Sequence, residues 1–198
     1  MKKHLVSALA LAAASLASSA ALAQAQEGPW MVRARAVSLA SANADSTPLN
    51  LSVNDIVLPE VDFSYFFNSH IAAELVLTVP QQHDLRASGG KIGTITHLPP
   101  TLLLQYHFDA FGVKPYVGAG INYTKFTNYD LPAGVTIDSS STGAALQLGV
   151  DVPLSSGLYL NVDVKKVLIG TNVYSNGTSL GNFKVDPLLL GVGVGWRF

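Results

Sequence analysis

The chain has 198 residues, of which 48% are hydrophobic and 13% charged, with a formal net charge of -1 and no cysteine. An ordinary soluble domain carries about 25% charged residues, so this one is poor in charge, and its length suits a single domain. The small net charge excludes electrostatic binding of nucleic acid. The missing thiols exclude a disulfide framework and a thiolate metal site.

Residues 1–23 read as a cleaved secretory signal peptide. Lys2, Lys3 and His4 form a basic start, Leu5 to Leu16 an apolar core, and Ala21-Leu22-Ala23 an A-x-A cleavage site. Cleavage after Ala25 is the second choice. The apolar core is about a dozen residues, short of the roughly 20 that a spanning helix needs. Losing Lys2 and Lys3 leaves ten basic residues against 13 acidic ones, a mature charge near -3. Beyond residue 26 no long apolar run occurs, so the mature domain, 26–198, is not a helical membrane protein.

From there the pattern is period two, the signature of strands with two unlike faces. Trp30 to Ser38 puts Trp30, Val32, Ala34 and Ala36 on one face and Met31, Arg33, Arg35 and Val37 on the other. Arginines on a lipid face near mid-bilayer cost roughly 2–4 kcal/mol each, so Arg33 and Arg35 are expected inside. Val57 to Phe66 sends Val61, Phe63 and Tyr65 out and Leu58, Glu60, Asp62 and Ser64 in. Ile71 to Val79 sends Leu75 and Leu77 out and Glu74, Val76 and Thr78 in. Pro100 to Phe108, Pro115 to Phe126, Thr142 to Val152 and Leu158 to Ile169 repeat the pattern, with Leu103, Asp151, Asp163 and Lys165 inward.

The last strand is the clearest. Leu188, Leu190, Val192, Val194, Trp196 and Phe198 form an apolar wall; Leu189, Gly191, Gly193, Gly195 and Arg197 form a small or polar one. Glycine at every second residue leaves lumenal space for side chains from across the barrel. About eleven tilted residues span a bilayer, and Trp196 with Phe198 sit where an aromatic girdle belongs. The eight strands are joined by connections that run long, short, long, short, long, short, long. The long ones, 39–56, 80–99, 127–141 and 170–183, read as polar loops. The expected fold is all-β: an eight-stranded antiparallel up-and-down transmembrane barrel with short periplasmic turns and long extracellular loops. Its interior is just wide enough for side chains, which excludes a broad aqueous pore.

Three stretches carry a family resemblance: His97-Leu98-Pro99-Pro100-Thr101, the run from Pro115 to Thr124, and Asp186-Pro187 ahead of a strand ending Gly195-Trp196-Arg197-Phe198. Leu58-Pro59 adds to them. Together they resemble the OmpW family of outer-membrane proteins, over nearly the whole mature chain. The resemblance implies a Gram-negative outer-membrane barrel with a narrow apolar passage, which helps small hydrophobic molecules cross and releases them sideways into the lipid. It implies partners too: outer-membrane lipid, lipopolysaccharide, the solutes themselves, and the barrel-assembly machinery, which reads a terminal aromatic such as Phe198. The resemblance departs at Lys165-Lys166-Val167-Leu168, where some members carry a bulky aromatic that helps close the passage, so no gate residue is assigned.

The inward charges Arg33, Arg35, Glu60, Asp62, Glu74, Asp151, Asp163, Lys165 and Arg197 read as a paired plug, ahead of an ion-selective constriction. Val37, Leu58, Val76, Thr78, Leu103 and Leu189, inward at the loop-proximal strand ends, are the candidate passage lining. Ser64, His107, Asp62 and Glu74 share one face and raise nucleophilic catalysis, without a spacing that brings them together. His83 and His97 lack a third ligand of fixed spacing and read as part of a solvated loop. No catalytic step, metal or cofactor is expected. The rival readings are a non-conducting structural or receptor-like barrel, a lipid-modifying barrel enzyme, and a soluble lipocalin-like binder.

Overall fold

The computed structural model describes residues 28–198; the expected signal peptide, 1–23, lies outside the described residues. Fifteen strands follow one another: β1 Trp30–Ala40, β2 Ala44–Asp45, β3 Leu51–Val53, β4 Ile56–Phe66, β5 Ile71–Thr78, β6 Gln81–Ala87, β7 Gly90–Leu98, β8 Thr101–His107, β9 Lys114–Asp130, β10 Val135–Ile137, β11 Ser140–Ser155, β12 Leu158–Val167, β13 Gly170–Ser175, β14 Thr178–Lys184 and β15 Leu188–Arg197.

Eight of them close a ring of antiparallel neighbours, β1-β4-β5-β8-β9-β11-β12-β15, with β15 back on β1. This is the eight-stranded barrel that the period-two pattern calls for. At the seam Trp30 and Phe198 exchange backbone hydrogen bonds at 3.1 and 2.8 Å. The outer wall is apolar and open to the surroundings at Phe63, Leu75, Leu104, Ile121, Leu148 and Val194. Such a continuous exposed band faces hydrocarbon rather than water. Below it, at the short-turn end, Trp30 packs on Tyr65 at 4.9 Å, Tyr106 on Phe108 at 4.8 Å and Trp196 on Phe198 at 5.0 Å. These pairs form the aromatic belt.

The four long connections are not loops. They fold into strands that raise the barrel above its spanning part. On one side β6 and β7 form a hairpin paired to β3 and to the upper end of β9. On the other, β10, β13, β14 and β2 make a separate four-stranded sheet. Solvent replaces lipid at this height, so outward residues turn polar and inward ones apolar. The pattern inverts while its period holds. In β9, Tyr123 is exposed and Thr124 buried, and two residues further up Lys125 is exposed and Phe126 buried.

The glycines of β15 serve neighbours rather than the far wall. A Cβ on Gly191 would lie 3.1 Å from Arg35 Cδ, and one on Gly195 would lie 2.6 Å from Met31 Cε and 3.0 Å from Arg33 Cγ. The space that they leave is taken by the adjacent strand β1.

Candidate functional site

The barrel interior is stacked in three layers. At the base Met31, Phe66, Ala72 and Tyr159 form a small apolar cluster. Above it lies an ionic layer, and above that a large apolar cluster reaches into the hairpins.

The ionic layer is built by inward residues of seven strands, while the eighth, β15, contributes its glycines. Arg33 holds Asp151 with two prongs, Nε to Oδ1 at 3.1 Å and Nη2 to Oδ2 at 2.7 Å. Its Nη1 donates to Asp62 at 3.2 Å, Ser64 at 2.8 Å and Glu74 at 3.3 Å. Arg35 donates from Nε to Glu60 at 2.9 Å, from Nη1 to Asn161 at 2.9 Å, and from Nη2 to Asp62 and Glu74. Lys165 Nζ bridges Glu60 and Asp163, 2.7 Å from each. All eight of these charged side chains are buried.

Five carboxylates thus meet three cations, and neutral donors add further bonds to three of the acids. Gln147 Nε2 donates to Glu74 and Asp163 at 2.8 Å each, Tyr116 hydroxyl to Asp163 at 3.1 Å, and Asn161 Nδ2 to Asp151 at 2.8 Å. Buried charge is tolerated only when paired and hydrogen-bonded in this way. Arg197 is the exception in position: it stands at the periplasmic rim, guanidinium 3.7 Å over the Phe66 ring and Nε donating to Gly28 O at 2.9 Å.

Directly above the layer lies a small, partly open cavity of about 20 Å³. Glu60 and Lys165 form its floor; Leu39, Val76, Val167 and Leu189 form its walls, with Thr78, Gln81 and Pro99 on one side. Five of the six candidate lining residues, Val37, Leu58, Val76, Leu103 and Leu189, are buried within the upper apolar cluster. Thr78 is half-buried and lines the cavity. The hairpins add residues that hydrophobic scanning of the sequence misses: Leu85, Ile95, Val173 and Phe183. Their signal is period-two alternation with a polar outer face, as in Gln81, His83 and Leu85 inside against Gln82 and Arg86 outside.

The wall beside this cavity is interrupted. The ladder between β4 and β5 ends at Glu60 opposite Thr78, and backbone pairing on that side resumes only at Val53 opposite Leu85. The β5–β8 ladder likewise stops at Val76 opposite Thr101 and continues as Gln81 opposite His97. Pro80, Pro99 and Pro100 sit in the unpaired stretches, where a missing N–H prevents a ladder bond.

The histidines are not solvated. His83 and His97 are buried on β6 and β7, rings parallel within 3° and 5.0 Å apart. His107 does not approach Ser64 through any described bond. Its ring packs on Phe66 and Tyr116, its Nε2 meets Gln105 at 3.0 Å, and Ser64 is taken by Arg33.

Comparison with known proteins agrees with the geometry. The OmpW family model matches residues 26–198. The chain is 40% identical to the "uncharacterized outer-membrane protein y4mB" of Sinorhizobium fredii, over 94% of this chain and 90% of that one. It is 33% identical to outer membrane protein W of Escherichia coli, over the full length of both. The crystal structure of the outer membrane protein OprG from Pseudomonas aeruginosa superposes with a TM-score of 0.74 at 26% identity, covering 87% of this chain and 97% of that one.

Proposed function

Because this chain belongs to the OmpW family and is a Gram-negative outer-membrane barrel, we propose that it passes small hydrophobic molecules through its upper chamber and sideways into the lipid. The carrying observation is a small, mostly apolar cavity that sits on the ionic layer and lies beside an unpaired stretch of wall. A solute resting on Val76 and Leu189 gains apolar burial worth about 25 cal/mol per Å². On the floor, Glu60 Oε1 is already taken by Lys165 and Arg35. The interruption flanked by Pro80, Pro99 and Pro100 is the lateral exit. Lipopolysaccharide hinders apolar solutes at the outer leaflet, and this route bypasses it. No catalytic step and no cofactor enter the scheme. Lipid and lipopolysaccharide are the partners of the apolar wall, and the assembly machinery is the partner of Phe198.

The test is uptake of naphthalene, read by its own fluorescence, into vesicles whose outer leaflet carries lipopolysaccharide. Protein-bearing vesicles should fill faster than empty ones. Equal rates would remove the passage and leave a non-conducting structural or receptor-like barrel. Altered lipid A or phospholipid in protein-bearing vesicles would instead favour a lipid-modifying enzyme.

A further inference from the structure

We infer that Asn122 on β9 fastens the lateral exit: its side chain pins the Pro99–Pro100 lip of the interrupted wall, and the route to lipid opens when those bonds let go. This inference rests on the passage reading and names the residue that holds the route closed. The interruption has two lips, Val79–Pro80 between β5 and β6 and Pro99–Pro100 between β7 and β8. The ladder has no pair between Val76–Thr101 on one side of them and Gln81–His97 on the other. Three of the four lip residues are prolines, with no N–H to bridge the gap. Leu98 and Tyr123, beside the second lip, are exposed on the outer wall. The cavity that Pro99 lines, at about 20 Å³, has room for about one water. A solute the size of naphthalene therefore enters only if a lip moves.

Asn122 decides how freely the Pro99–Pro100 lip can move. Its Nδ2 donates to Pro99 O at 3.1 Å, to Pro100 O at 3.2 Å and to Thr101 Oγ1 at 2.9 Å. Thr124 Oγ1 donates to its Oδ1 at 2.6 Å, which fixes the amide's orientation. Both side chains are fully buried, so these bonds form in a low dielectric that strengthens them. The lip does not need them to satisfy its own carbonyls. Pro99 O keeps the Thr101 hydroxyl at 3.2 Å, and Pro100 O keeps the Tyr123 N–H at 3.0 Å. What Asn122 adds is a tie between strands. The opposite lip is braced within itself, Gln81 Nε2 donating to Thr78 Oγ1 at 3.0 Å. The bonds that must break for the Pro99–Pro100 lip to swing out thus run to β9, away from the gap.

The experiment compares the wild type with Asn122→Leu, similar in size but without the bonds, and with Thr124→Val, which keeps Asn122 and frees its carbonyl. Each is checked for the heat-modifiable migration of a folded barrel. Naphthalene uptake in the vesicle assay above should quicken about tenfold in Asn122→Leu, the loss of one hydrogen bond of roughly 1.4 kcal/mol, and less in Thr124→Val. Hydrogen exchange at the Tyr123 amide, whose acceptor lies on the lip, should quicken with it. The Phe126 amide, bonded to Ser139 O, should not change. Folded variants that take up naphthalene at the wild-type rate would overturn the inference. Equal quickening in Gly149→Ala, which crowds Tyr116 in the ionic layer, would overturn it too, since general loosening would then explain the rates. If no protein exceeds empty vesicles while Tyr123 exchange still quickens, it is the passage that falls, and Asn122 is left a structural tie.

Discussion

Arg33 on β1 and Asp151 on β11 are 118 residues apart and meet across the barrel in a two-pronged bond of 3.1 and 2.7 Å. A contact of this span ties opposite walls together and makes the ionic layer a cross-brace as well as a seal. Removing one partner of a buried pair leaves the other charge stranded, at a cost of about 3–5 kcal/mol. Asp151→Ala should lower the unfolding free energy in lipid vesicles by that amount, measured by urea titration of tryptophan fluorescence. A change under about 0.5 kcal/mol, the range of ordinary surface substitutions, would show that Arg33 finds full compensation from Asp62, Ser64 and Glu74.

Gly149 gives Tyr116 its seat: a Cβ there would lie 2.3 Å from Tyr116 Cζ and 2.4 Å from its hydroxyl. Gly149→Ala should therefore destabilise by about 1–3 kcal/mol through overpacking. In a Tyr116→Leu background the same substitution should cost little, because the clash is gone. A double-mutant cycle on urea midpoints measures the difference. Equal costs in both backgrounds would show that the two residues are not coupled.

Val76 lies between the ionic floor and the cavity wall. Val76→Trp fills the cavity from the side and should bring naphthalene uptake down to the rate of empty vesicles. The barrel should stay folded, weakened by about 1–3 kcal/mol. Undiminished uptake would place the route elsewhere.

Acid should loosen the β6–β7 hairpin, which stands above the membrane. Burial, followed by the adjacent His83 charge, lowers the His97 imidazole from 6.5 to about 3. Burial also lowers His83. The unfolded hairpin thus binds protons first as pH drops. The stability contributed by neutral histidines is whole above about pH 6.5 and is lost progressively toward pH 3. Hydrogen exchange across Gln81–Leu98 should quicken between pH 7 and pH 4 in the wild type and change less in His97→Phe. Identical pH profiles would separate the hairpin's stability from His97.

The eight spanning strands were legible because lipid imposes one rule along their whole length. In Leu188 to Phe198 or Val57 to Phe66, every second residue must be apolar, and turns must be short at one end. The hairpins were not legible, because at the membrane surface the outward medium changes from hydrocarbon to water. Gln81, His83 and Leu85 still alternate with Gln82, Asp84 and Arg86, yet both sets hold polar residues, so a search for greasy faces reads a loop. The inward parity of Arg33, Glu60, Asp151 and Lys165 was likewise readable from period two. Which acid meets which base was not: that follows from the stagger of strands around the ring, and stagger leaves no trace in a single strand. Arg197 shows the difference, sharing the inward parity but ending one layer lower against Phe66.

The blind floor has a bearing on direction. On the route proposed above, a solute that enters leaves by the mouth or by the side, and net flow then follows how much better it dissolves in hydrocarbon than in water. On the same route a sugar or an amino acid, which dissolves poorly in hydrocarbon, diffuses out again. On that route the bilayer itself does the sorting, and it uses no fuel.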